Sequence, residues 1–157
     1  SQALVFRTNF FGWSPSGQKG ILDFFARGIE TVTAMTGFSD YIVSSLYMGD
    51  LFELLVEAVM KEATGLIHLT SSTPLSKYDF GVAVAQALRG DVSLVHQGLL
   101  EDQSMLGNRG HNLGLSVKKL HELLGHPIPS TIQGIARALA ERQAVMDYFG
   151  GMGTEQK

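Results

Sequence analysis

Apolar positions alternate along the chain between short continuous runs and longer stretches at helical spacing, a pattern that predicts an α/β order. Ala3 to Phe6 is continuous, as in a strand covered on both faces. A turn-rich Ser14-Pro15-Ser16-Gly17 follows, then Ile21, Leu22, Phe24, Phe25, Ile29 and Val32 recur as a helix, with Gly28 a weak point in it. Thr36 to Tyr47 is rich in Gly, Ser and Tyr and reads as loop or short strand. Asp50 opens the clearest helix, with Glu53 completing a capping box and Leu51, Leu54, Leu55, Ala58 and Val59 as its stripe. Gly65 suits the exit, and Leu66 to Leu69 is a second buried strand.

Further along, Ser76 and Asp79 cap a helix whose inner face is Phe80, Val84, Ala87 and Leu88. Val92 to Val95 predicts a third strand, at an edge, and Gly98 to Leu115 is irregular. Ser116 to Leu124 forms a short helix stopped by Gly125 and Pro127. Ser130 and Gln133 form another capping box, starting a helix through about Tyr148. No repeat or linker interrupts this order, so residues 1–149 read as one α/β unit and residues 150–157 as a flexible tail.

Composition narrows the function classes. The 157 residues are 45% hydrophobic and 17% charged, enough for a core and against disorder. A net charge of −3 offers no basic patch for nucleic acid. The absence of cysteine excludes disulfide and thiolate chemistry, and no apolar run reaches membrane-spanning length. The N-terminus enters a strand almost at once, without the plan of a signal peptide, which predicts a chain cut from something longer.

Some motifs promise more chemistry than they carry. His121 and His126 suggest a zinc helix, but ligands there must be four apart, and these are five apart, about 500° of rotation. No metal is expected. Gly107 to Gly114 lacks the strand before and helix after that a phosphate-cradling glycine loop requires. Ser71 and Ser72 do not lie on a nucleophile elbow. His68 reads as a packed, hydrogen-bonded histidine, Phe24 and Phe25 as core, and Trp13 as either a stacking surface or a partly buried anchor.

Three ordered blocks carry a resemblance. They are Leu4-Val5-Phe6-Arg7-Thr8-Asn9-Phe10-Phe11-Gly12; Tyr47 to Leu51 continuing through Gly65-Leu-Ile-His-Leu and Ser76-Lys-Tyr-Asp-Phe; and Asn108-Arg109-Gly110-His111-Asn112-Leu113 with Lys119-Leu120 and Leu124-Gly125. Together they span about residues 3 to 142 and resemble the C-terminal half of extended short-chain dehydrogenase/reductases. The nearest branch is the dTDP-4-dehydrorhamnose reductase-like, sugar-nucleotide-binding proteins. Gly110 departs from the family, which has proline there.

The resemblance implies late strands of a doubly wound Rossmann-type sheet plus the smaller C-terminal substrate-binding lobe. It implies the substrate-binding part of an NAD(P)-dependent sugar-nucleotide reductase or epimerase, a cytoplasmic enzyme compatible with a homo-oligomer; the alternative is a non-catalytic regulatory or nucleotide-sugar-binding protein on the same fold. Arg109 matches the arginine that approaches the pyrophosphate, Asn9 the position near the cofactor–substrate junction, and Phe11 and Trp13 the pocket wall. NADP or NAD would serve the parent protein. Its Tyr-x-x-x-Lys pair is absent, since Tyr41, Tyr47, Tyr78 and Tyr148 precede Ser45, Leu51, Val82 and Met152 at that spacing. No glycine-rich cofactor loop occurs either, so no catalytic residue is expected and the chain alone is predicted inactive.

Overall fold

The continuous runs pair as parallel strands and the periodic stretches wind into helices around them. The computed structural model describes residues 3–100 and 110–152. In order come β1 (Leu4–Thr8), β2 (Phe10–Phe11), α1 (Ile21–Glu30), β3 (Met35–Phe38), β4 (Ile42–Val43), β5 (Leu46–Tyr47) and α2 (Met48–Met60). Next are β6 (Gly65–Leu69), β7 (Leu75–Ser76), α3 (Lys77–Ala87), β8 (Val95–Gly98), β9 (Asn112–Leu113), α4 (Lys118–Leu124), α5 (Thr131–Ala140) and α6 (Arg142–Met152).

Parallel pairing dominates. β1 lies along β6, β2 along β5 and β3 along β8, all parallel, while β4 sits between antiparallel β7 and parallel β9. Parallel strands need helical crossovers, and here α1, α2 and α3 run between the paired strands. One core joins Leu54 and Ala58 of α2 to Ile67, Leu69, Leu120 and Leu124. The other gathers Phe11, Phe25, Met35, Phe80, Val84 and Ile135. A fully buried Leu or Phe side chain contributes roughly 1.5–3 kcal/mol of transfer free energy, set against the conformational entropy lost on ordering the chain.

Local signals worked where both partners lie within one turn. Ser76 Oγ accepts the Asp79 N–H at 2.9 Å, and Ser130 with Gln133 closes both bonds of a capping box. Gly125 takes the left-handed C-cap of α4 at φ 79°. Elsewhere tertiary partners won. α2 begins at Met48 after Tyr47, with no side-chain cap, so the expected Asp50 and Glu53 box does not form. Both carboxylates turn to Arg137 instead.

Residues 92–95 hold a 3-10 turn at Val92–Leu94 and only then a strand, because Asp91 caps Ser93 N–H at 2.8 Å. The helix expected from Ser130 to about Tyr148 is two helices, broken at Glu141, and α6 continues to Met152, past the Gly150 where fraying was expected. Gly28 is a packing contact as well as a weak point, since a Cβ there would lie 1.9 Å from Met35 Sδ.

Candidate functional site

A cleft of about 320 Å³ opens where β3 and β8 end and α1 and α3 begin. Its walls are Ile21, Phe24 and Phe25 from α1, Thr36 and Phe38 from β3, Tyr41, Lys77 at the first position of α3, and Leu100. Open α/β folds place ligands at the carboxyl ends of parallel strands, which is where this cleft lies. Close packing lets it form, because Gly37 seats β3 directly on α3. A Cβ at that glycine would stand 2.5 Å from Tyr78 Cα.

Lys77 gives the cleft its chemistry. Its ammonium lies 5.8 Å from the centre of the Tyr41 ring, and among the described residues no carboxylate pairs with it. Burial pushes this lysine below its ordinary range, because desolvation disfavours the charged form. Phe24 is 43% exposed and Phe25 is 2% exposed, their rings edge-on at 5.0 Å. The expectation that both are core is therefore corrected. Phe25 is core, while Phe24 offers an open ring face at the cleft.

The first turn of α1 has no side-chain cap from Gly20, and it carries the buried Asp23, an acid placed where the helix dipole favours one. An aromatic wall with one desolvated cation suits a planar ring carrying anionic or carbonyl oxygens.

The residues singled out in the sequence are not all brought together here. Asn9 is exposed at the carboxyl end of β1, its carbonyl accepting the Leu46 N–H at 3.0 Å. Phe11 is buried, stacked edge-on to Phe80 at 5.0 Å, and Phe80 in turn lies 6.3 Å from Phe25. It supports the cleft wall from behind. Trp13 is also buried; its Nε1 donates to the Ala138 carbonyl at 2.7 Å and the Arg142 guanidinium lies 4.6 Å from its ring centre. Of the two readings of Trp13, the anchor is what the contacts display.

Arg109 lies outside the described residues. Asp40 accepts the Leu100 N–H at 2.7 Å, and its carboxylate lies 3.4 Å from His111 Nδ1.

Lys77, Tyr41 and Phe38 were missed in the sequence. One signal was available: a lysine at the first position of a capped helix sits against the helix dipole, which favours acids there. Tyr41 and Phe38 carried none, because only the fold brings them to Lys77.

The histidines behave as hydrogen-bonding groups. His68 Nδ1 lies 3.0 Å from the Ser116 carbonyl, and His126 Nε2 lies 2.9 Å from Glu57 Oε2. Among the described residues no group of acids and histidines could hold a metal ion, and no helix is long and apolar enough to cross a membrane. Nor do those residues fit NAD(P) by themselves: β1 and β6 run into β2 and β7, not through a glycine-rich turn into a helix. No hydride step is therefore derived through this chain.

No family model matches the sequence, and no curated protein matches it. Solved structures do. A dTDP-4-dehydrorhamnose reductase from Bacillus anthracis str. Ames, solved in complex with NADP, superposes with a TM-score of 0.76 at 17% identity over 90% of this chain and 49% of that one. The Yersinia enterocolitica dTDP-4-dehydrorhamnose reductase gives 0.74 at 21% identity over 87% and 48%. The one from Clostridium acetobutylicum ATCC 824 gives 0.75 at 17% identity over 89% and 49%. The chain spans about half the length of the structures it matches.

Proposed function

Starting from the fold that this chain shares with extended short-chain dehydrogenase/reductases, we infer that it is the substrate-binding, C-terminal portion of an NAD(P)-dependent sugar-nucleotide reductase of the dTDP-4-dehydrorhamnose reductase kind. The observation that carries the reading is the aromatic cleft holding a desolvated Lys77 without an acid partner among the described residues. In this reading Phe24 stacks on the nucleobase and the Lys77 ammonium meets acceptor oxygens of the nucleotide. Arg109 takes the pyrophosphate, the role of the family arginine that its segment resembles, where a planar fork pairs well with phosphate oxygens.

Asn9 stands at the carboxyl end of β1, where its amide can donate to and accept from groups at the cofactor–substrate junction. Phe11 and Trp13 serve the substrate side through the wall: Phe11 backs Phe80, which neighbours Phe25, and Trp13 bonds Ala138 of α5. The bound cofactor would supply the hydride. The groups that hold it and move the proton are not in this chain, so the chain alone leaves a keto-sugar unreduced. A reductase and an epimerase would use the same lobe, and a cytoplasmic setting would supply either with NAD(P)H.

Calorimetric titration with dTDP and with a dTDP-linked sugar tests the assignment. Binding is expected, weakened about 10-fold or more by Lys77→Met, the range for a hydrogen bond to a charged group. No binding by the folded wild type, or an unchanged affinity in the variant, overturns it.

A second reading, a non-catalytic sugar-nucleotide-binding protein, uses the same lobe, because a fold does not fix its function. The complete polypeptide in which this chain resides would then bind the ligand yet leave NADPH absorbance unchanged with keto-sugar nucleotides.

A further inference from the structure

Backbone contacts on two sides fix the position from which the Lys77 side chain starts. Its N–H donates to the Tyr41 carbonyl at 3.2 Å, next to the antiparallel pairing of Ile42 with Ser76. On the other side Gly37 of β3 packs so closely that an added Cβ would stand 2.9 Å from the Lys77 carbonyl oxygen. A side chain carried by such a backbone is held in place before any ligand arrives.

Lys77 is half-buried and borders two spaces. The first is the aromatic cleft. The second, about 10 Å³ between Ile21, Leu75, Phe80 and Thr131, has room for about one water. An apolar wall on one side and so small a space on the other leave the amine poorly hydrated, which is why its charged form is disfavoured.

The other described lysines have acceptors or water around their side-chain nitrogens. Lys61 Nζ donates to the Leu124 carbonyl at 3.0 Å, and Lys119 Nζ to the Leu66 carbonyl at 2.9 Å. The Lys118 side chain is 80% exposed and lies 3.8 Å from Glu122, and Lys19 is exposed. A protonated amine has no lone pair to offer a carbonyl carbon, whereas a lysine desolvated in an apolar pocket does.

The cleft also suits the product of such an attack. A neutral imine removes the charge that the site solvates poorly. Phe24 is 43% exposed there, and the Tyr41 ring centre lies 5.8 Å from Lys77 Nζ, so a planar ring joined to the reacting carbon has aromatic surface to lie on.

We propose that Lys77 is a covalent capture site for planar aromatic aldehydes, which it holds in the cleft as imines. The amine lone pair attacks the aldehyde carbon, forming a C–N bond while the C=O π pair moves to oxygen. Both nitrogen protons then pass to that oxygen, which leaves as water as the C=N bond forms. The exchange needs no oxidant or reductant. It goes beyond the nucleotide reading and does not depend on it, because an anionic ligand favours the ammonium and an uncharged aldehyde the free amine.

Salicylaldehyde tests this on the intact protein, with sodium cyanoborohydride donating hydride to trap the imine as a secondary amine. Peptide mass spectrometry then reads the modification at each lysine of this chain. Lys77 is expected to be modified at least about 10-fold faster than Lys61, Lys118 or Lys119, because more of it is present as free amine. Propanal, which lacks the ring, should prefer Lys77 less, and Phe24→Ala should bring salicylaldehyde toward the propanal ratio. In urea the preference should vanish.

Modification of these lysines at comparable rates in the folded protein overturns the proposal. So does a preference for Lys77 that propanal shares in full, or one that persists in the unfolded chain.

Discussion

Lys77 and Arg137 hold positive charge in opposite ways, and the contrast separates a cleft-facing cation from a structural one. Arg137 bonds Asp50 at 2.6 Å, Glu53 at 2.6 Å and Glu141 at 2.7 Å, and Glu141 also accepts the Tyr47 hydroxyl at 2.8 Å. Every arm of its guanidinium is used, which ties α2 to α5. Asp50 is buried, and burial raises its carboxyl above the usual range despite Arg137. Arg137→Met should therefore cost about 2–4 kcal/mol, because a buried carboxylate loses its partner, although partial exposure of the arginine keeps the cost toward the low end. Urea denaturation checks this. Arg109→Ala in the intact protein should weaken sugar-nucleotide binding by ~1.5–3 kcal/mol, measured by calorimetry. At this scale the caps at Ser76 and Ser130 were legible because cap and amide are three residues apart. The setting of Lys77 was not, since Phe38, Tyr41 and Leu100 are distant in sequence.

Among the elements, the longer helices could be read from their apolar stripes, and β1 and β6 from their continuous apolar runs. The two-residue strands could not. β2, β4, β5, β7 and β9 exist only through the neighbours that pair with them, and two residues have no periodicity to detect. The Asp50 cap failed for a related reason: Arg137 offers its carboxylate a charge-assisted bond stronger than a helix amide does. The contact of β3 with α3 makes a sharp prediction. Gly37→Ala drives a methyl into Tyr78 backbone, which has no rotamer to yield, and should lower stability by about 1–3 kcal/mol. Because the displaced elements carry Phe38 and Lys77, dTDP affinity measured on the folded fraction should fall as well. A thermal melt together with a titration tests both.

Across the whole molecule the charge pairs set how stability responds to pH. Hydrogen bonds from Arg137 hold Glu53 and Glu141 below the usual carboxylate range, so their contribution is present above the unfolded value, about 4.3, and fades as pH falls through the folded values. Asp50, raised by burial, works in the opposite sense and blunts the loss. His126 is raised by Glu57, so its contribution is complete below the ordinary value of about 6.5 and fades as pH rises past the folded one. The unfolding midpoint should be broad and flat near pH 5 to 6 and decline below about pH 4, more gently in Arg137→Met. Circular dichroism melts across pH measure this.

The sequence alone determined the α/β order, the caps at Ser76 and Ser130 and the kinship of the fold, because these rest on spacing within a turn or a strand. Only the tertiary structure decided which cation faces the cleft and which carboxylates are spoken for. Those outcomes depend on groups far apart in the chain competing for the same hydrogen bonds and the same buried space, a competition settled only when the elements pack.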